Sequence, residues 1–375
     1  MNHIYYFFSS LFFFIFHLFY KKSYDIIFYS PIHFNRGRKR ENIYLKSLFS
    51  LCDRNQISYL YFEEPNYSLS YKRSSNAKPF DFIFIIVILL RKFMFNSEMS
   101  IIIKDHKIGS FLKQTFLRGI SASNYITISQ SFLSVFRGLD CHANIFDVQH
   151  GIIYADKLSY VNDSVPADNI IKNNAKLLLN GDMYKTILEN ADGTSYYYNH
   201  AFSLGYSLFP YLKKHEDVNK KVVVSLQFTS DHTEEENQKM YMLLVSFFSK
   251  HKEFTFYLRI HPRTIDHIYH NQLTKNDNVF LSSNNLFDDF SECSFHLTFY
   301  STTTFDAALC GIPTCFLNLE NENLFYSDFD YPLGNNLSLL DCFHNYSIYS
   351  DKVRKWAYLY YKNIDEKLFI SVLKK

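Results

Sequence analysis

Four consecutive hydroxyl residues, Ser301-Thr302-Thr303-Thr304, stand between a short apolar run and a helical turn in a chain of 375 residues. The run at 295–299 has the composition of a strand. Residues 305–309 read as a helix closed by Gly311 and Pro313, with a further strand at 314–317. The loop of such a strand–loop–helix unit presents unpaired backbone N–H groups and the positive end of the helix dipole, and a phosphate finds donors there. The same hydroxyls also suit a plain cap, with Ser301 or Thr302 satisfying the helix start, and both readings are open at this point. Upstream, residues 254–260 alternate as a strand does and run into His261-Pro262-Arg263. The proline stops the strand and leaves His261 and Arg263 at its C-terminal tip, the edge where open α/β sheets bind ligands. Arginine brings a fork of donors and histidine a short, orientable one, a pair suited to a diphosphate.

A second constellation lies in the other half of the chain. Residues 143–148 look like a strand leading into Gln149-His150-Gly151. Gly151 permits a tight turn that leaves His150 at the strand tip. An imidazole there can take a proton from a hydroxyl near neutral pH, or it can serve as a structural histidine bonded to a neighbouring loop. The same half offers three carboxylates as alternative bases. Glu63 and Glu64 end a strand at Pro65 without a glycine turn to expose them, and Asp192 sits in the polar turn Ala191-Asp192-Gly193, where solvation keeps it a weak base. His150 is the preferred base, with Glu64 and Asp192 next.

The elements that must position these groups alternate between strands and helices. Strands are expected at 25–30, 57–62, 143–148, 176–179, 221–227, 254–260, 279–281 and 295–299. Helices are expected at 41–55, from 182 to about 190, from the acidic start at 234–236 to Lys250, near 265–273, and at roughly 336–367. Residues 101–148 are less legible, and 195–217 read as a crossing between domains. The loop at 31–40 carries Arg36, Arg38, Lys39 and Arg40, the densest basic patch in the chain. It can hold an anionic acceptor or reach lipid phosphates, or it is a solvated loop.

The order of these motifs carries a resemblance. His-Pro-Arg after a strand, followed by Ser-Thr-Thr-x-x-Asp-Ala-x-x-x-Gly-x-Pro (Ser301 to Pro313), resembles the C-terminal half of two-domain glycosyltransferases of the GT-B type. The chain is similar in particular to bacterial surface-polysaccharide enzymes: capsule and lipopolysaccharide sialyl- and Kdo-transferases, and teichoic-acid polyol-phosphate transferases. Gln149-His150-Gly151 at a strand end is also typical of them. The resemblance covers about 145–317, and the first 140 residues only in outline. It implies an α/β fold of two Rossmann-like domains facing a cleft, with His261, Arg263, Ser301, Thr302, Thr303 and Asp306 toward the donor nucleotide. Where these families carry Glu before Ala, this chain has the shorter Asp306, which would reach less far to a ribose or sugar hydroxyl.

It further implies transfer of a sugar from a nucleotide-activated donor to a surface polysaccharide or lipid-linked glycan. Transfer of a polyol phosphate from a CDP-linked donor, or a non-catalytic glycan-binding role, are the alternatives. The expected division is 1–22, an apolar N-terminal segment; 23–205, an acceptor-side domain; 206–335, a donor domain; and 336–375, helices returning across the cleft.

Composition agrees with an ordinary globular protein: 47% hydrophobic and 20% charged residues, with a net charge of +2. That balance argues against a nucleic-acid partner, which calls for a strongly basic face. No Gly-x-Gly-x-x-Gly, Walker-type Gly-Lys-Ser/Thr or Gly-x-Ser-x-Gly appears. No cluster has metal-ligand spacing, Asp288-Asp289 reading as a helix surface or cap, so a metal-independent transfer without further cofactor is expected. The six scattered cysteines read as reduced, buried thiols of a cytosolic protein. The apolar run at 4–20, closed by Lys21-Lys22, is short of the roughly 20 residues a spanning helix prefers. It either lies on an anionic membrane surface, placing the protein on the inner face of the cytoplasmic membrane, or forms a buried first helix. The run at 80–95 reads as a core element first and a surface-inserting one second.

Overall fold

The structure is a computed structural model that describes residues 2–35, 40–65, 72–93, 99–205, 218–229, 231–261, 264, 268–317, 324–334 and 337–374. Two compact units divide the chain, Met1–Leu208 with Tyr361–Lys375, and Phe209–Tyr360.

The first unit is built on a parallel sheet. Its strands are β1 (Lys22–Pro31), β2 (Tyr59–Glu64), β3 (Lys78–Pro79), β4 (Ile120–Ile128), β5 (Asn144–Val148), β8 (Ala175–Leu179) and β9 (Ala201–Ser203), in the order β3-β2-β1-β4-β5-β8-β9. A separate two-stranded hairpin pairs β6 (Val161–Asn162) with β7 (Val165–Pro166). Parallel strands are covered on both faces, so they read as continuous apolar runs: Ile26, Ile27, Phe28 and Tyr29 are all buried. One face packs Ile26, Phe28, Ile126 and Phe146 against the helix Lys46–Arg54 and against Phe369 and Val372 of the returning helix Glu366–Leu373. On the other, Phe14 meets Phe62 and Phe80 at ring separations of 5.5 and 5.9 Å.

The apolar run at 4–20 is the helix Asn2–Phe19. Its inner residues Ser10, Phe14 and His17 are buried, while Ile4, Tyr5, Phe8, Phe12, Ile15, Phe16 and Phe19 are exposed. The end of this helix is held close: a Cβ on Gly119 would lie 1.5 Å from the carbonyl oxygen of His17. The run at 80–95 is likewise a helix, Asp81–Phe93. Two expectations need correction. Glu63 and Glu64 lie within β2 and do not follow it, because the parallel pairing with β1 runs on through Ser30 against Glu63 and Pro31 against Glu64. Residues 195–205 do not cross between units: they form the short helix Tyr196–His200 and the edge strand β9. The basic residues 36–39 lie outside the described residues.

The second unit has a smaller parallel sheet: β10 (Lys221–Ser225), β11 (Thr255–Arg259), β12 (Val279–Leu281), β13 (Phe295–Thr298) and β14 (Thr314–Phe316), in the order β12-β11-β10-β13-β14. Strand order reverses between β10 and β13. Its core gathers Val222, Val224, Leu244, Phe256, Leu258 and Leu297. The helix Glu234–Lys250 starts on a full capping box between Thr233 and Glu236. The helix Tyr346–Tyr360 packs Trp356 on Phe305 at 4.7 Å. Asp289, expected on a helix surface, is buried and pairs with Arg259 at 2.5 Å and with Ser282 at 2.7 Å. The cysteines are free thiols, four of them buried, Cys310 half-buried and Cys141 exposed.

Candidate functional site

In a doubly wound sheet the loops after two neighbouring strands diverge where strand order reverses, and the gap between them receives ligands. In the second unit that place is the C-terminal edge of β10 and β13. Ser225 ends β10, and its hydroxyl meets His296 Nε2 at 2.9 Å and Thr303 Oγ1 at 2.9 Å. Thr298 ends β13 and donates to the Ser225 carbonyl at 3.0 Å and to Gln227 Oε1 at 3.1 Å. The same Gln227 oxygen accepts from the Tyr300 backbone N–H at 3.0 Å, and the Tyr300 hydroxyl contacts His232 Nε2. The edge is therefore a continuous network of hydroxyls, one amide and two imidazoles.

The hydroxyl run resolves into distinct roles. Ser301 Oγ accepts from the Thr303 N–H at 3.3 Å and from Thr303 Oγ1 at 2.9 Å, so Ser301 does part of the capping expected of it. Thr302 is the exposed residue before the helix Thr303–Leu309 and makes no side-chain cap. Thr304 is buried, and its hydroxyl has no hydrogen-bond partner among the described residues. Asp306, one turn on from Thr303, keeps a little surface, but burial pushes its carboxyl up to about 7. His296 is wholly buried; desolvation holds it down at about 3, so it is neutral at physiological pH. Its Nδ1 meets Thr314 Oγ1 at 3.0 Å. His261 stands two residues beyond β11, where its carbonyl accepts from the Thr264 N–H at 3.0 Å. Arg263 lies outside the described residues.

The first unit carries a different chemistry at its corresponding edge. Glu63 is fully buried and accepts from Asn35 Nδ2 at 2.7 Å, the Tyr61 hydroxyl at 3.0 Å and the Ser74 N–H at 3.2 Å. Desolvation outweighs those bonds and raises its pKa. Glu64 accepts from the Tyr29 hydroxyl at 2.8 Å and is raised for the same reason. His150 follows β5; its carbonyl accepts from the Tyr44 hydroxyl at 2.8 Å, and its ring meets Phe34 edge-on at 5.6 Å. Gln149 fixes that tip, accepting from the Asn180 N–H at 2.9 Å and donating to the Gly151 carbonyl at 2.7 Å.

Asp192 is not gathered with them. It closes the helix Asp182–Ala191, which runs back from the C-terminal tip of β8 toward the other edge. Burial would raise its carboxyl, but hydrogen bonds from Thr194 and the Tyr197 N–H win and lower it. A carboxylate so satisfied is a cap and a poor base.

Ser225, Gln227, His232, His296, Thr298 and Tyr300 escaped the sequence reading. They come from segments about seventy residues apart, and Ser225, His296 and Thr298 sit inside runs that read simply as strand. The signal available was positional: a polar residue at the last position of each of two strands.

No family model and no curated protein sequence matches the chain. Solved structures do. The UDP-GlcNAc 2-epimerase of Neisseria meningitidis, bound to UDP-GlcNAc, superposes at TM-score 0.56 over 94% of this chain and 100% of its own, with 10% identity. The fold is two Rossmann-like domains of the GT-B type. S. aureus MnaA in complex with UDP matches at TM-score 0.52 and 9% identity, covering 94% of this chain and 96% of its own. The Methanocaldococcus jannaschii UDP-GlcNAc 2-epimerase with UDP-GlcNAc and UDP matches at 0.52 and 11%, covering 94% and 99%. At these identities the likeness speaks for the fold.

Proposed function

We propose that this chain is a glycosyltransferase that moves a sugar from a nucleotide-activated donor to a surface polysaccharide or lipid-linked glycan acceptor, working at the inner face of the cytoplasmic membrane. The observation that carries the reading is the hydroxyl network at the strand-order reversal of the second unit, where Ser225, Thr298, Ser301 and Thr303 meet. Hydroxyls rotate to donate, so a diphosphate there is met by donors without a buried cation. His261, just beyond β11 on the same edge, adds direction, Arg263, outside the described residues, is the charged group this reading assigns to the nucleotide, and Asp306 accepts from a ribose or sugar hydroxyl in its ionised form. His150 takes the proton of the acceptor hydroxyl, with Glu64 as the alternative base; no metal enters the scheme.

A specific observation favours a second reading. Structures matched over nearly their whole length include UDP-GlcNAc 2-epimerases, and an epimerase acts on a nucleotide sugar without an acceptor. The two are separated by incubating the protein with UDP-GlcNAc alone and following the sugar by NMR. A new C2 epimer without acceptor establishes epimerisation and overturns transfer. A preceding screen of UDP, GDP, CDP, CMP and dTDP by thermal shift identifies the nucleotide, since a ligand that binds only the folded state raises the midpoint. Absence of a shift with all five removes the nucleotide site.

A further inference from the structure

We infer that the first unit presents a built bilayer-docking face, made by the helices Asn2–Phe19, Asp81–Phe93 and Ile101–Gln114, whose partner is an anionic lipid surface. The inference deepens the lipid-linked acceptor reading, on which its functional sense rests.

A helix that lies on a globular core turns polar residues outward. The helix Asn2–Phe19 does the reverse. Its exposed residues fall at 4/5, 8, 12, 15/16 and 19/20, the spacing of one helical stripe, and every one is apolar or aromatic. Phe12 is 66% exposed and Phe19 76%, values that no folded-core role explains. Half-buried rings pack this helix onto its neighbours. Phe7 touches Phe82 at 5.8 Å, Phe82 touches Phe116 at 5.1 Å, and Phe116 leads to Phe111 at 6.4 Å. Ile88, Leu89, Phe93, Ile101 and Ile103 are exposed on the second and third helices. A contiguous apolar face of this kind on a protein surface marks an interaction site.

Charge decides what covers it. Lys21, Lys22, Lys92 and Arg118 are exposed at the ends of these elements. Within residues 2–22, 81–93 and 99–118 the acids are Asp81 and Asp105, and both are buried against arginines, Arg73 at 2.7 Å and Arg91 at 2.6 Å. The three helices thus expose an apolar face with basic residues at their ends and no exposed acid within them. That pattern complements anionic headgroups over acyl chains. A second copy would bring the same cationic rim against itself. No helix among the described residues is long and apolar enough to cross a membrane, so the stripe meets the lipid lying flat, with Tyr5 and Tyr20 able to keep their hydroxyls in the headgroup layer.

The test uses the full chain and sedimentation with phosphatidylcholine vesicles containing about 30% phosphatidylglycerol, the anionic charge that a basic rim would sense. The intact protein is expected to sediment with them, and less so as salt rises. The double substitution Phe12→Glu with Phe16→Glu, at two exposed positions, should cut binding at least about tenfold and leave the thermal midpoint unchanged. A conservative Phe12→Trp variant gives an independent readout: brominated lipid should quench its emission and spare the one native tryptophan, Trp356, which is buried in the second unit. Three outcomes would overturn the inference: no vesicle binding by the intact chain, equal binding by the double variant, or a salt-resistant dimer in solution that the double variant splits. The nucleotide found in the thermal-shift screen should shift the midpoint of wild type and double variant alike. No vesicle binding by the intact chain with that shift present sinks the docking face alone, whereas no shift with any of the five nucleotides sinks the nucleotide reading instead.

Discussion

Both sheets reverse their strand order, yet the two C-terminal edges hold opposite chemistry. The edge of the first unit stores acids: Glu63, Glu64 and, one strand position before the tip of β5, Asp147, all desolvated and pushed upward. Burial pushes Asp147 up to about 8, with one oxygen held by the Gln130 N–H at 2.7 Å and the other buried with no partner among the described residues. The edge of the second unit stores hydroxyls around a neutral imidazole. Fold position alone therefore says where a ligand site lies and nothing about what it takes. A desolvated carboxyl holds a proton near neutral pH, whereas a hydroxyl cradle offers donors to an anion without a net charge of its own.

The sharpest way to break this division is His150→Ala. If the first edge handles protons and the second the nucleotide, turnover should fall by about 10²–10⁴-fold, the usual worth of a positioned acid–base group, while nucleotide affinity by calorimetry holds nearly constant. Loss of affinity together with turnover would place His150 on the nucleotide side and erase the contrast.

Stability against pH tests the same contrast without substrate. The raised carboxyl of Asp147 favours folding in its protonated form, so its contribution is present below about pH 4 and is lost as pH rises toward 8. The depressed imidazole of His296 works the other way: its contribution is present above about pH 6.5 and is lost as pH falls toward 3. Each gives a slope of up to about 1.4 kcal/mol per pH unit in its window. In denaturant titrations Asp147→Asn should flatten the decline between about pH 4 and 8, and His296→Gln the decline on the acid side. Unchanged slopes would mean that these groups titrate normally.

Smaller effects sharpen the picture. Thr303→Val removes a hydroxyl that meets Ser225, Ser301 and His296. It should cost about 1–3 kcal/mol of stability by leaving buried polar partners unmet and weaken nucleotide binding while leaving the pH profile of turnover in place. Thr233→Ala, which breaks the capping box of the long helix in the second unit, should cost about 1 kcal/mol by calorimetric unfolding and change neither nucleotide affinity nor vesicle binding.

The sequence shows a strand plainly where buried residues follow one another without a polar break, as Ile26, Ile27, Phe28 and Tyr29 do. It hides β4. There Asn124 and Thr127 turn inward, the first donating to the Asp25 carbonyl at 3.0 Å and the second to the Ser131 carbonyl at 2.6 Å, and polar residues in a buried strand interrupt the hydropathy signal. The hydroxyl run at 301–304 was legible as a local cluster. Its partner Ser225 was not, because strand pairing between β10 and β13 brings it there and pairing has no local signature. The exposed stripe at 4–20 was visible as an apolar run, but whether it faced core or solvent depended on which neighbours claimed Phe14.

The tight seat of Gly119 against His17 has a further consequence. The first helix ends at Phe19 and β1 begins at Lys22, so the apolar stripe is fused to an interior strand of the sheet with no linker to pay out. A tethered anchor lets its cargo sweep a volume above the surface. On the docking face inferred above, one riveted to the sheet would allow only translation and spin within a plane, and would turn encounters with a lipid-borne acceptor into a two-dimensional search whose rate scales with the surface density of acceptor in the leaflet.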